Sequence, residues 1–159
     1  MTINESRLMN GTLTLGETAT ALDVSCQISN VRISSSYSDD GNTVTTLCGE
    51  TKPAPRKLDG RKLEGTFVQD FDWPEAQKGF TDFCWNHDLE VVAFTYTPSD
   101  VTTGPVITGN VMIEVPAETY GGDVNTRITS DFSWNIQEEP TRTYGTGTQA
   151  EAELAGASA

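Results

Sequence analysis

The chain carries a single histidine. His87 follows Cys84 as a Cys-x-x-His pair, and a thiolate and an imidazole at that spacing are half of a tetrahedral zinc site. No second pair with ligand spacing accompanies them. The plainer reading is a packed thiol and an exposed histidine at a helix C-terminus, where a cation is favoured. Asp39-Asp40-Gly41-Asn42 shares a start with calcium loops but lacks their alternating acids and terminal Glu. It reads as an Asx-type turn. No Ser or Cys nucleophile has a base at a usable spacing, and neither a Gly-rich phosphate loop nor a GxSxG is present. Carboxylates abound, with 23 Asp and Glu against 10 Lys and Arg. Acid pairs arise by chance in so acidic a chain, and no Trp- or Tyr-rich stretch arranged as a sugar platform supports two-carboxylate hydrolysis. The expectation is a protein that is not an enzyme and that uses no metal or cofactor.

The net charge of −13 is unevenly spread. Seven acids and seven bases cancel over residues 1–62, so residues 63–159 carry the whole imbalance. Five of the ten bases cluster as Lys52, Arg56, Lys57, Arg61 and Lys62. A chain this acidic is poorly suited to gripping nucleic acid, which requires neutralised phosphates. No apolar run approaches the roughly 18 residues of a membrane span, and the first residues lack the apolar core of a secretory signal. A cytoplasmic origin follows as the default. The three cysteines, Cys26, Cys48 and Cys84, are odd in number and widely spaced, which favours reduced thiols packed as small hydrophobes.

Apolar alternation predicts strands at Thr12–Leu15, at 22–28 and, with a bulge near Ser29-Asn30 that flips the faces, at Val31 and Ile33. Residues 34–62 are rich in turn formers and proline, and a long loop with little regular structure is expected, apart from a brief strand at Thr43–Leu47. A strand over Leu63–Asp72 follows, with Phe67 and Phe71 on one side. Asp72 as N-cap, Pro74, Glu75 and the stripe Ala76, Phe80, Phe83 and Cys84 predict one helix over residues 74–86. Leu89–Thr97 is apolar on both faces, as a central strand would be. Val106–Val115 alternates, with Ile107, Val111, Ile113 and Val115 inward. The last strand follows a Gly-Gly turn. Its Ile128, Phe132, Trp134 and Ile136 point inward, and Arg127, Thr129, Asp131, Ser133 and Asn135 point outward. Trp73, Trp85 and Trp134 read as core. These elements make a mainly β fold, a sandwich or barrel with one flanking α-helix and a long loop. One domain spans 1–140. Residues 141–159 form a C-terminal arm that is either disordered or ordered on a partner.

The block Gly121-Gly122-Asp123-Val124-Asn125-Thr126, leading into the alternating strand through Trp134, resembles the C-terminal strand of major tail tube proteins of long-tailed, non-contractile bacteriophages, notably of actinobacterial hosts. Leu63–Phe71, the helix around Phe80–His87, Val92–Ser99 and Pro105–Val115 fit in the same order, so the resemblance spans about residues 60–140. It implies a tail-tube β-sandwich whose copies form six-membered rings. The rings stack, sheets join into an inner barrel, and the genome passes through from a virion tail assembled in the host cytoplasm. Implied partners are further copies, the tape measure protein, the tail terminator and tail-tip proteins, with DNA passing without specific binding and no membrane involved. Thr129, Asp131, Ser133, Asn135 and Asp70 become candidates for a lumen lining, a wall of like charge to DNA. Read from the residues alone, they are the solvent face of a sandwich strand. Lys52, Arg56, Lys57, Arg61 and Lys62 become candidate contacts between rings, meeting the acidic surface of the next copy. A solvated loop accounts for them equally well. Other readings are a non-polymerising relative (a tail terminator or a secretion-system tube ring) and, with less behind it, an adhesion or carbohydrate-binding module.

Overall fold

The structure is a computed structural model that describes residues 8, 10–17, 20–39, 41, 43–52, 55–70 and 79–145. Its elements in order are β1 (Thr12–Leu15), β2 (Leu22–Asp23), a 3-10 turn (Ser25–Gln27), β3 (Ile28–Asp39), β4 (Val44–Thr45), β5 (Thr51–Lys52), β6 (Arg56–Val68), α1 (Phe80–Asn86), β7 (Val91–Thr97), β8 (Pro105–Met112) and β9 (Thr129–Tyr144). Seven strands form one antiparallel sheet in the order β2-β1-β7-β8-β9-β6-β3, and β4 and β5 pair separately. The fold is therefore mainly β with one helix.

β9 organises this sheet by changing partners midway. Residues 129–135 pair with 62–68 of β6, and from Ile136 onward the strand pairs with β8. Just past the handover Gln137 opposes Asn110 while Thr141 opposes Thr108, so three β9 residues face Gly109. Glu138 adopts a left-handed φ of 61° within this bulge. A bulge is where a strand can bend and where proline is tolerated, which accounts for Pro140 inside the strand. Gly109 is needed there, because a Cβ would lie 3.0 Å from Phe94 Cε1 and 3.3 Å from Pro140 Cβ.

A single core cluster draws Leu13, Leu15, Phe94 and Val111 from one end of the sheet and Leu63, Phe67, Phe132 and Trp134 from the other. The helix enters this core through Phe80, which stacks on Trp134 with centroids 5.4 Å apart and lies 4.3 Å from Phe67. The buried indole N–H of Trp134 donates to the Glu114 carbonyl at 2.9 Å, which satisfies the only polar atom of that side chain. The first helical N–H, on Phe80, donates to Gln27 Oε1 at 2.8 Å. A side chain from the 3-10 turn thus satisfies one of the donors that every helix start leaves open.

Several expectations need correction. Residues 34–62 form a long hairpin rather than a loop. β3 and β6 pair continuously out to Asp39–Arg56, and the β4–β5 ribbon lies between them in the chain. The serine run of β3 satisfies the ladder as well as apolar residues do, because strand pairing is made by backbone groups. The run 22–28 is not one strand. It breaks into β2 and the 3-10 turn, which buries Gln27 and leaves Cys26 exposed. Cys48 is exposed too, so only Cys84 packs as a small hydrophobe. Trp85 is 53% exposed on the helix and not core. The described helix begins at Phe80, with Gly79 at its N-cap position. Asp72, Trp73, Pro74, Glu75 and Ala76 lie outside the described residues, as does Phe71. β9 continues past residue 140 to Tyr144, and 146–159 lie outside the described residues. The turn before β9 is not at Gly121-Gly122. It is at Asp123–Thr126, where Asn125 has a φ of 63° and Thr126 Oγ1 donates to the Asp123 carbonyl at 2.8 Å. The bulge near Ser29-Asn30 is present as a register shift between Ile28 and Asn30.

Candidate functional site

Three adjacent strands, β3, β6 and β9, present one outward polar face. Burial alternates strictly along the first half of β9, with Ser130, Phe132, Trp134 and Ile136 inward and Thr129, Asp131, Ser133 and Asn135 exposed. On β6 the inward residues are Leu63, Gly65 and Phe67. Register then fixes the outward rows. Asn30, Thr66 and Asp131 lie side by side, then Arg32, Glu64 and Ser133, then Ser34, Lys62 and Asn135. Close approach of β3 to β6 requires Gly65, where a Cβ would lie 2.0 Å from the Asn30 carbonyl oxygen.

The rows are tied together by their own side chains. Thr66 Oγ1 donates to Asp131 Oδ1 at 2.7 Å. Arg32 Nε donates to Glu64 Oε1 at 3.1 Å, and Ser133 Oγ donates to Glu64 Oε2 at 3.4 Å. Partial desolvation pushes the Glu64 pKa up, but hydrogen bonds from Ser34, Arg32 and Ser133 outweigh it and hold the pKa below the ordinary value. The face is therefore not the wall of like charge expected from β9 alone. Arg32 and Lys62, brought in by the neighbouring strands, balance Glu64 and Asp131 over the nine positions. What remains is a charge-balanced polar array in which Thr66 with Asp131, and Arg32 and Ser133 with Glu64, hold one another. Asp70 lies two residues beyond Val68, where the paired ladder ends, so the structure does not place it in these rows.

The basic residues do not share one surface. Lys52 ends β5, and Arg56, Lys57, Arg61 and Lys62 lie along β6. Arg61 and Lys62, as neighbours on a strand, point to opposite faces. Arg61 Nη2 pairs with Glu139 Oε1 at 3.1 Å and its guanidinium also donates to Ser35, which ties the base of the hairpin to the β9 bulge. Arg56 faces Asp39 at 3.8 Å across the hairpin. The hairpin's apolar groups are turned outward. Leu47 is fully exposed in the turn between β4 and β5, and Val44 and Tyr37 are more than half exposed.

Of the metal-type pair, Cys84 is fully buried, and burial together with nearby Asp88 pushes its thiol pKa far up. His87 Nδ1 instead meets Glu90 Oε2 at 2.7 Å. Among the described residues no group of three or more His, Cys, Asp or Glu is placed to hold a metal ion. None of the described helices is long and apolar enough to cross a membrane. The motif residues Gly121 to Thr126 are exposed and precede β9, and Gly122 packs so closely on Ile128 that a Cβ would lie 2.9 Å from its Cγ2. The change of apolar phase at Ser29-Asn30 puts Asn30, Arg32 and Ser34 on one side of β3, but that β3 lies beside β6 is fixed only by the pairing. Asn30, Arg32 and Ser34 join the face only because the bulge at Ser29 flips the strand.

No family model matches the chain, and no curated protein matches it. Among solved structures, a chain of the virion of a native gene transfer agent particle is similar with a TM-score of 0.46 and 16% identity, over 82% of this chain and 95% of that one. A likeness that distant carries no inference about function.

Proposed function

We propose that the protein is a structural virion protein that polymerises into the tail tube of a long-tailed bacteriophage and conducts its genome. The observation that carries this reading is the free edge of β3. This twelve-residue strand ends the sheet and pairs only with β6 among the described strands. A long open edge is a template for pairing with another chain unless it is covered. Joining such edges around a ring closes the sheets into a barrel and removes the exposed edges altogether. The face with Thr129, Asp131, Ser133 and Asn135 then lines the channel. Over the middle of that face Asp131 is engaged by Thr66 and Ser133 by Glu64, so those groups have little left for passing DNA.

The hairpin supplies the second contact. An exposed apolar tip on a two-stranded arm suits a head-to-tail contact with the next ring, and contacts of that kind propagate into filaments. In this reading the rings are hexamers, and the tape measure, terminator and tip proteins bound the polymer. Negative-stain electron microscopy of the concentrated protein tests the proposal. Tubes or stacked rings are expected. A chain that stays monomeric at high concentration, with tail-tip and tape measure partners present, overturns it.

A further inference from the structure

The polar face has one corner unlike the rest. Lys62 lies between Ser34 and Asn135 at the row where β9 leaves β6 for β8. Past that row the outward face narrows to β3 and β6, with Ser36 opposite Gly60. The step leaves an open hollow of about 420 Å³ lined by Ser36, Gly60, Lys62 and Asn135, among others.

Of the two acids bordering this hollow, Glu64 is charge-paired and Asp59 has only a hydroxyl partner. Glu64 is held by Arg32, Ser34 and Ser133, and Asp59 accepts a hydrogen bond from Ser38 at 2.6 Å. Lys62, in contrast, is exposed and enters none of the ion pairs among the described residues. Arg61, which also borders the hollow, is committed to Glu139 and Ser35. The hollow is thus lined by an ammonium, the Asn135 amide and the Ser36 hydroxyl, donors drawn from three adjacent strands. An ammonium with hydroxyl and amide donors is the usual dress of a phosphate oxygen contact. Gly60 keeps the floor low, since nothing lies within 4 Å of where its Cβ would be.

We propose that this corner takes one phosphate group of a nucleic-acid backbone. That the source is DNA rests on the tube reading above; the phosphate chemistry of the corner does not. In a ring, each copy would add a single weak contact, with a salt slope near the ~0.9 expected per phosphate. DNA would be registered against the wall at one height per ring, and the rest of the face would remain inert.

The test is NMR of the backbone and side-chain amides at low ionic strength, in solution for the free chain or with magic-angle spinning for tubes. A short duplex DNA and, separately, inorganic phosphate are the probes. Saturable shifts are expected at Gly60, Lys62 and Asn135 with both. Lys62→Gln should weaken both titrations by about tenfold, roughly the loss of one charge-assisted contact. Lys57→Gln, which removes an equal charge outside the corner, should leave them unchanged. Shifts with inorganic phosphate but not with duplex overturn the nucleic-acid assignment and leave a free-phosphate site. Equal effects of the two substitutions, or no saturable shift, overturn the site itself. Tube formation is read separately by microscopy, so failure of one proposal does not mask the other.

Discussion

β6 runs through two environments. From Leu63 to Phe67 every second residue is buried, whereas from Arg56 to Gly60 every residue is exposed. Both halves pair with β3, so hydrogen bonding does not separate them. The difference is β9, which covers the flank of one half and leaves before the other. Where three strands meet the helix, aromatic burial holds the fold. Where only two strands continue, the backbone ladder persists with little apolar surface hidden. Isolated two-stranded ribbons are marginal in water, so the hairpin is the part of the molecule best placed to gain from a partner.

The largest expected effect is on assembly. Leu47→Asp at the arm tip should abolish tubes in electron micrographs while the denaturation midpoint stays put, since Leu47 buries nothing. Assembly that survives this change would remove the arm from the stacking contact. Next comes the body. Trp134→Ala empties the stack on Phe80 and should cost about 3–5 kcal/mol in chemical denaturation. The glycine pair sharpens the contrast along β6 itself. Gly65→Ala forces a methyl against the Asn30 carbonyl and should cost about 1–3 kcal/mol, whereas Gly60→Ala points into open space and should stay within about 0.5 kcal/mol. Equal costs at the two sites would mean the halves are equally packed.

The smallest effect is the acid response of the polar face. The Glu64 carboxyl has a folded pKa below its ordinary 4.5. Its contribution to stability is therefore complete above that value and is lost as pH falls through the lowered one. Glu64→Gln should flatten the stability profile in that acid range and leave it unchanged near neutrality, as denaturation midpoints across pH would record.

Much of the body was legible because period-two burial writes itself into sequence. Phe132, Trp134 and Ile136 on β9, Val111 and Ile113 around the end of β8, and Phe80, Phe83 and Cys84 on the helix all lie where alternation or helical spacing predicts. The arm was not legible, because a ribbon open on both faces has no reason to alternate, and Ser34-Ser35-Ser36 looks like a loop. The charge balance of the candidate lining escaped for a related reason. It depends on which residues of β3 and β6 fall opposite Ser133 and Asn135, and that register comes from pairing between strands far apart in the chain rather than from any pattern within β9. Trp85 was misplaced because aromatic character alone does not tell a core side chain from one left on the outer face of a helix.

A side-chain-resolution electron cryo-microscopy reconstruction of the purified protein's polymer tests the central claim most directly. The expected map has Asp131, Ser133 and Asn135 facing the channel, the β3 edge hydrogen-bonded to a neighbouring copy, and the hairpin tip seated in the adjacent ring. A polymer with those residues on its outer wall, or with the β3 edge left unpaired, would contradict it.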